Sequence, residues 1–184
     1  CESLLLGLGQ LSKDTHNRDL QDLIEEVGCD VALMKSPPEW QLHEARKILV
    51  PVAGRGTEHE LRARFLGSLS RGKDREVTFI SVVPASASEA SVKDTRQTIE
   101  RLAEVKLPTH VNVEVLKSDT PVEAILEVSE NYDLIILGLG RIPHANLLEN
   151  PAMRIAHECN TAAILLSRHN TRLPLPMIFD RKGN

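Results

Sequence analysis

No run of apolar residues in this chain approaches the roughly 20 needed to cross a bilayer; stretches such as Asp133 to Leu137 are far too short. No signal-peptide pattern opens the sequence. There is no block of basic charge either. The formal net charge is −4, built from interspersed signs, so nothing prepares a surface for a phosphate backbone, and nucleic acid is excluded as a partner. The three cysteines, Cys1, Cys29 and Cys159, are widely spaced and form no C-x-x-C pair, which removes the usual redox and zinc motifs and fits a reducing, cytoplasmic setting. The seven histidines make no H-E-x-x-H and no Cys/His cluster, His157 with Cys159 being a lone close pair, so no metal site is expected. Gly67-Ser68-Leu69-Ser70 falls short of a G-x-S-x-G elbow and sits within a helical pattern, and Asp119 and Asp133 have no acid/base partner. No catalytic residue is expected, and none of these features makes the chain an enzyme.

What is present is alternation of strand and helix. Lys47 to Val52 is an apolar run that stops at Gly54-Arg55-Gly56, and Leu61, Phe65 and Leu69 then recur at helical spacing, with Thr57 and Glu60 as a capping box. Glu76 to Val83 reads as a strand, Pro84 to Ser91 as a loop, and Val92, Ile99, Leu102 and Ala103 as one helix face ending before Pro108. His110 to Leu116 alternates, with Val111, Val113 and Val115 on one side, and suits an edge strand. Thr120-Pro121-Val122-Glu123 combines an N-cap, a proline at the first helical position and an acid at the third. Leu134 to Leu137 is apolar on both faces, Gly138 and Gly140 turn the chain, Asn150-Pro151 starts a helix to about Glu158, and Ala162 to Leu166 is the last strand. Five strands alternating with helices imply an α/β fold: a five-stranded parallel sheet with helices on both faces.

The beginning of the chain repeats its end. Leu5-Leu6-Gly7-Leu8-Gly9 matches Ile136-Leu137-Gly138-Leu139-Gly140 at an offset of 131 (138 minus 7), and Cys29 to Leu33 matches Cys159 to Ala163 at 130 (159 minus 29). Residues 1–35 therefore read as the terminal β-α-β of a second copy, 36–45 as a linker, 46–168 as a complete domain and 169–184 as an irregular tail. A chain that opens at Cys1 almost directly into Leu4-Leu5-Leu6 reads as part of something longer.

On these residues the chain resembles the universal stress protein family, over Arg46 to Ser167 as a full copy and Glu2 to Lys35 as a partial one. The resemblance is carried by Ile48 to Val52, by Asp119-Thr120-Pro121-Val122-Glu123-Ala124-Ile125 and by Tyr132 to Gly138. It implies a five-stranded parallel sheet flanked by helices and a homodimer through the last strand, Thr161, Ala162, Ala163, Ile164 and Leu165. Nucleotide-binding members carry an Asp after the first strand and G-x-x-G, nine residues, then Gly with Ser or Thr. Here Ala53 stands at the Asp position, Gly138 is kept, and Arg141, Pro151 and Ala152 replace the second Gly, the third Gly and the hydroxyl residue. Glycines let backbone N–H groups approach phosphate oxygens. Pro151 removes one such N–H and Ala152 removes a hydroxyl, so no cofactor is expected, with ATP or AMP as the alternative.

Two readings follow. Tandem, motif-poor copies resemble the cytosolic C-terminal regions of prokaryotic amino-acid permeases and cation chloride cotransporters. That implies a non-catalytic regulatory or dimerisation module at the cytoplasmic face of the membrane, with the membrane part of the same polypeptide as a partner. The alternative is a soluble stress-type protein that holds a nucleotide or small anion through Gly54, Arg55, Gly138, Gly140 and Arg141. The simple reading of Gly54-Arg55-Gly56 is turn geometry, and that of Arg141 is a solvated surface charge.

Overall fold

Leu134, Ile135 and Ile136 show no exposure, and Leu137 shows 3%. A strand apolar on both faces can only sit in the middle of a sheet covered on both sides. In a computed structural model, residues 3–7, 20, 22, 24, 26–52, 59–70, 74–104, 111–139 and 149–168 are described, with backbone alone at 59, 60, 102 and 104. The strands are β1 (Ser3–Gly7), β2 (Asp30–Lys35), β3 (Lys47–Pro51), β4 (Glu76–Val83), β5 (Val111–Lys117), β6 (Leu134–Gly138) and β7 (Ala162–Ser167). Helices α1 (His59–Leu69), α2 (Glu89–Glu104), α3 (Pro121–Ser129) and α4 (Pro151–Glu158) lie between them, and residues 20, 22, 24 and 26 are helical as well.

The sheet has seven strands in the order β1-β2-β7-β6-β3-β4-β5. This corrects the expectation of five strands preceded by a separate tail. β3 to β7 form the expected parallel sheet, but β1 and β2 continue it, because β2 adds antiparallel to the side of β7 that would otherwise be an unpaired edge. Pairing satisfies a row of backbone donors and acceptors on both strands. It also bears on Thr161 to Leu165. β7 is flanked by β6 and β2 of its own chain, so a second copy could add there only if β2 left.

One face of the sheet carries Ile48, Val50, Val77, Phe79, Leu134, Ile136, Ala162, Ile164 and Leu166 under α1 and α2; the other carries Leu49, Ile80, Ile135, Leu137, Ala163 and Leu165 under α3 and α4. Leu20, Ile24 and Val27 extend the second layer over Val31 and Leu33. The segment between β2 and β3 is packed instead of loose: Ala45 is 1% exposed, and Trp40 and Leu42 rest on the core. Its end is fixed by Asp133, whose Oδ2 accepts from the N–H groups of Arg46 (2.9 Å) and Lys47 (2.8 Å), while the Asp133 carbonyl accepts from Trp40 Nε1 at 3.1 Å.

The registers of the two parallel pairs β1–β2 and β6–β7 match as a local two-fold would make them. Leu6 pairs Leu33 and Gly7 pairs Met34; Leu137 pairs Leu165 and Gly138 pairs Leu166. With Leu6-Gly7 set on Leu137-Gly138, Leu33 becomes equivalent to Leu165, and these two residues face each other across the β2–β7 seam. Two-fold pairing of this kind is isologous, with the axis passing between the self-equivalent residues. The second strands thus correspond at an offset of 132 (165 minus 33), two residues from the match read at Cys29 and Cys159. Because strand side chains alternate with period two, both alignments leave the same residues facing inward.

Local chemistry explains the remaining differences. Ser88 starts α2 earlier than expected: its Oγ accepts from Ser91 N–H at 3.2 Å and its carbonyl from Val92 N–H at 3.0 Å. The Thr120 hydroxyl makes no capping bond; its partner is the Ser118 hydroxyl at 3.3 Å, and Asp119 instead accepts from Ala85 N–H at 3.0 Å. Asn150 does cap α4, accepting from Ala152 N–H at 2.9 Å.

Cys29 and Cys159 are buried packing residues. Burial pushes the Cys159 thiol up, the Lys35 ammonium opposes this in part, and the thiol sits against the Thr161 carbonyl at 3.2 Å. Burial shields both sulfurs, and the Cys159 thiol is in addition held from its reactive thiolate form, so both are expected to resist thiol reagents at neutral pH and to label only as the chain unfolds in denaturant. Rapid labelling of the folded protein would show that the sheet opens locally.

Candidate functional site

In an open parallel sheet, ligands meet the carboxyl ends of the strands where the strand order reverses. Here that crevice lies between β3 and β6. Of the residues singled out for it, Ala53, Gly54, Arg55, Gly140 and Arg141 lie outside the described residues. Gly138, Pro151 and Ala152 are described, and they lie at the same end of the sheet.

Gly138 is the last residue of β6 and pairs with Leu166; the next residue, Leu139, is 5% exposed and donates its N–H to the Leu166 carbonyl at 2.8 Å. The start of α4 is closed on itself. Pro151 has no N–H, the Ala152 N–H is taken by Asn150 Oδ1, and Arg154 N–H bonds the Asn150 carbonyl at 3.0 Å. Asn150 is 5% exposed and Ala152 9%. A helix start holds anions through free N–H groups pointed at them, and of the two that matter most here one is missing and the other is occupied.

At the end of β3 sits a residue that sequence reasoning missed. Arg62, on α1 next to Leu61, is 5% exposed, and its Nη1 donates to the Pro51 carbonyl at 2.8 Å. A guanidinium is therefore buried at the carboxyl end of β3. Nothing in the pattern of apolar positions could have found it, since an arginine between core residues of an amphipathic helix ordinarily reads as solvated.

The opposite end of the sheet carries a groove of about 1130 Å³, lined by His43, Arg46, Lys47, Asp74, Arg75 and Glu76 among others. Arg75 is 5% exposed, donates to the Leu42 carbonyl at 3.2 Å, and is held below its usual range by burial. Acids and bases alternate around the groove, so it favours no ligand charge. On the outer surface Arg154 bridges Glu158 (2.9 Å) and Glu123 (2.8 Å), tying α4 to α3; the carboxyl of Glu123 is lowered by its own backbone N–H and by Arg154. Among the described residues no group of three or more His, Cys, Asp or Glu side chains is placed to hold a metal ion. Nor is any helix among them long and apolar enough to cross a membrane.

No protein-family model matches the sequence, and no curated protein matches it. Solved structures do share the fold. A universal stress protein from Archaeoglobus fulgidus DSM 4304 is 18% identical with a TM-score of 0.59, over 92% of this chain and 62% of that one. The cytoplasmic domain of a prokaryotic cation chloride cotransporter is 17% identical with a TM-score of 0.62, over 89% and 62%. A universal stress protein in complex with cAMP is 14% identical with a TM-score of 0.55, over 67% and 98%. The chain thus spans less than two thirds of the first two structures, and at these identities the likeness establishes the fold alone.

Proposed function

We propose that this chain is a non-catalytic regulatory and assembly module with the universal stress fold, working on the cytosolic side of a membrane transporter of the amino-acid permease or cation chloride cotransporter type, without the usual nucleotide site. The observation that carries this reading is the antiparallel β2–β7 seam, across which a β-α-β unit and a five-stranded sheet meet as two copies of one fold would. The β2 strand takes the place that a homodimer partner would fill. Support also comes from the start of α4, where Pro151 and the occupied Ala152 N–H leave little for a phosphate, and from the similarity to a cotransporter's cytoplasmic domain. Titration calorimetry with ATP, AMP and cyclic AMP to millimolar concentration should give no saturable heat. An encoding gene with no hydrophobic spans upstream of Cys1 would overturn the transporter assignment.

One observation favours a second reading, a soluble protein that holds a nucleotide or other small anion. The buried Arg62 guanidinium puts positive charge at the end of β3, the strand that precedes Gly54 and Arg55 in the sequence. A tight, saturable signal in the same titration, lost in Arg55→Ala, would establish that reading in place of the first.

A further inference from the structure

The seam is held by more than its ladder. Lys35, the last residue of β2, reaches over the carboxyl end of α4 and donates from Nζ to the carbonyls of Ala156 (2.8 Å), His157 (3.0 Å) and Cys159 (2.9 Å). An ammonium has three N–H donors, and here each has an acceptor. Carbonyls in the last turn of a helix have no intrahelical partner, and the helix dipole favours a cation beside them. The neighbouring Ile155 carbonyl needs no such help, because Cys159 N–H takes it at 2.9 Å.

The local two-fold lets this contact be compared with its counterpart. At the offset of 132, Lys35 is equivalent to Ser167, whose short side chain ends one bond beyond Cβ and cannot span the same distance. The clasp is one-sided. The rest of the seam is nearly symmetric: Leu33 faces Leu165, Ala32 faces Leu166 and Met34 faces Ile164. Ladder bonds and apolar contacts alone would therefore serve a β7–β7 pairing between two copies almost as well.

We propose that Lys35 is a specificity-determining residue of the seam, selecting the chain's own β2 as the strand beside β7 over the β7 of a second copy. In a β7–β7 pairing on the same axis, Leu165 would face Leu165 of the second copy, and Ser167 of that copy would stand where Lys35 now stands. Each α4 would then lose the ammonium from three carbonyls. The proposal rests on the reading of this chain as an assembly module and names the residue that fixes its partner.

The test uses Leu165→Cys in the full chain, with Cys1, Cys29 and Cys159 changed to alanine. Directly opposed residues of an antiparallel pair lie within disulfide reach. Leu33→Cys/Leu165→Cys should therefore close within one chain under mild oxidation, and Leu165→Cys alone should link two chains only when β7 meets β7. With Lys35 present, cross-linked dimer should be scarce. Lys35→Ser should raise it at least ~10-fold, the factor that about 1.4 kcal/mol produces. Lys35→Arg, which keeps the donor, should leave it low. Lys35→Met keeps the methylene stem and carries the same expectation if the serine variant folds poorly. Equal dimer fractions in Lys35, Met and Ser chains would overturn the proposal. So would faster amide exchange in Val31 to Lys35 of the Met variant without added cross-linking, which would mark a tie that selects nothing. Nucleotide titration is independent of this result, so failure here leaves the absence of a nucleotide site to stand or fall by its own measurement.

Discussion

Ile136→Ala is expected to lower the unfolding free energy by about 2–5 kcal/mol, the range for emptying a well-packed core site. Leu5→Ala, at the equivalent place in β1, is expected to change it by less than about 0.5 kcal/mol. The two residues match in the two-fold relation and in sequence context, Leu-Leu-Gly against Ile-Leu-Gly. They differ in cover. Ile136 is wholly buried, lying among Ile48, Val50 and Ile164 with α1 and α2 packed over that face, whereas Leu5 is 58% exposed. Removing methyl groups from the first leaves a cavity that central strands on both sides cannot collapse to fill. Removing them from the second returns to water a surface already mostly in water. Urea midpoints of the two variants, read at several protein concentrations, check this. A large loss for Leu5→Ala, growing with concentration, would mean that a second copy covers β1 in solution.

Much of this fold was legible because it depends on short-range rules. The two-sided apolar run of β6 and the alternation of β5 follow from which faces are covered, and the start of α4 at Asn150-Pro151 follows from the chemistry of a helix end. The β2–β7 seam could not be read the same way. Periodicity says which residues face the core, not which edge joins which, and two apolar strands such as Val31 to Met34 and Ala162 to Leu166 carry the same pattern whichever neighbour they choose. For that reason β7 reads as a strand for a second copy, and nothing in its pattern points to β2. The deciding residue, Lys35, looks like a strand-ending surface charge until the α4 carboxyl end is seen beneath it. At the candidate site the substitutions Pro151 and Ala152 were visible, but the bond by which Asn150 occupies the Ala152 N–H, and the burial of Arg62, belong to side-chain geometry that no spacing encodes.

Asp133→Ala is expected to cost about 1.5–3 kcal/mol, the usual scale for hydrogen bonds to a charged group, with the lower half favoured because the carboxylate is exposed. One oxygen of Asp133 holds two consecutive backbone N–H groups, those of Arg46 and Lys47, at the point where the chain enters β3. Without it both donors must turn to water, and the segment before them loses its anchor. Asp133→Asn keeps an acceptor in place but not its charge, so it should recover roughly half of the loss. Trp40, the chain's single tryptophan, gives a local reading of the same event. Its indole N–H bonds the Asp133 carbonyl, which the alanine variant retains, so a red shift in emission would report that the segment has lifted off the core and not merely that an acceptor has gone. Because this segment joins β2 to β3, its release would also lengthen the free connection across the seam and weaken the advantage that the chain's own β2 holds beside β7. Lower stability with unchanged Trp40 emission would instead confine the role of Asp133 to the two N–H groups, leaving Ala45 and Leu42 sufficient to hold the segment down.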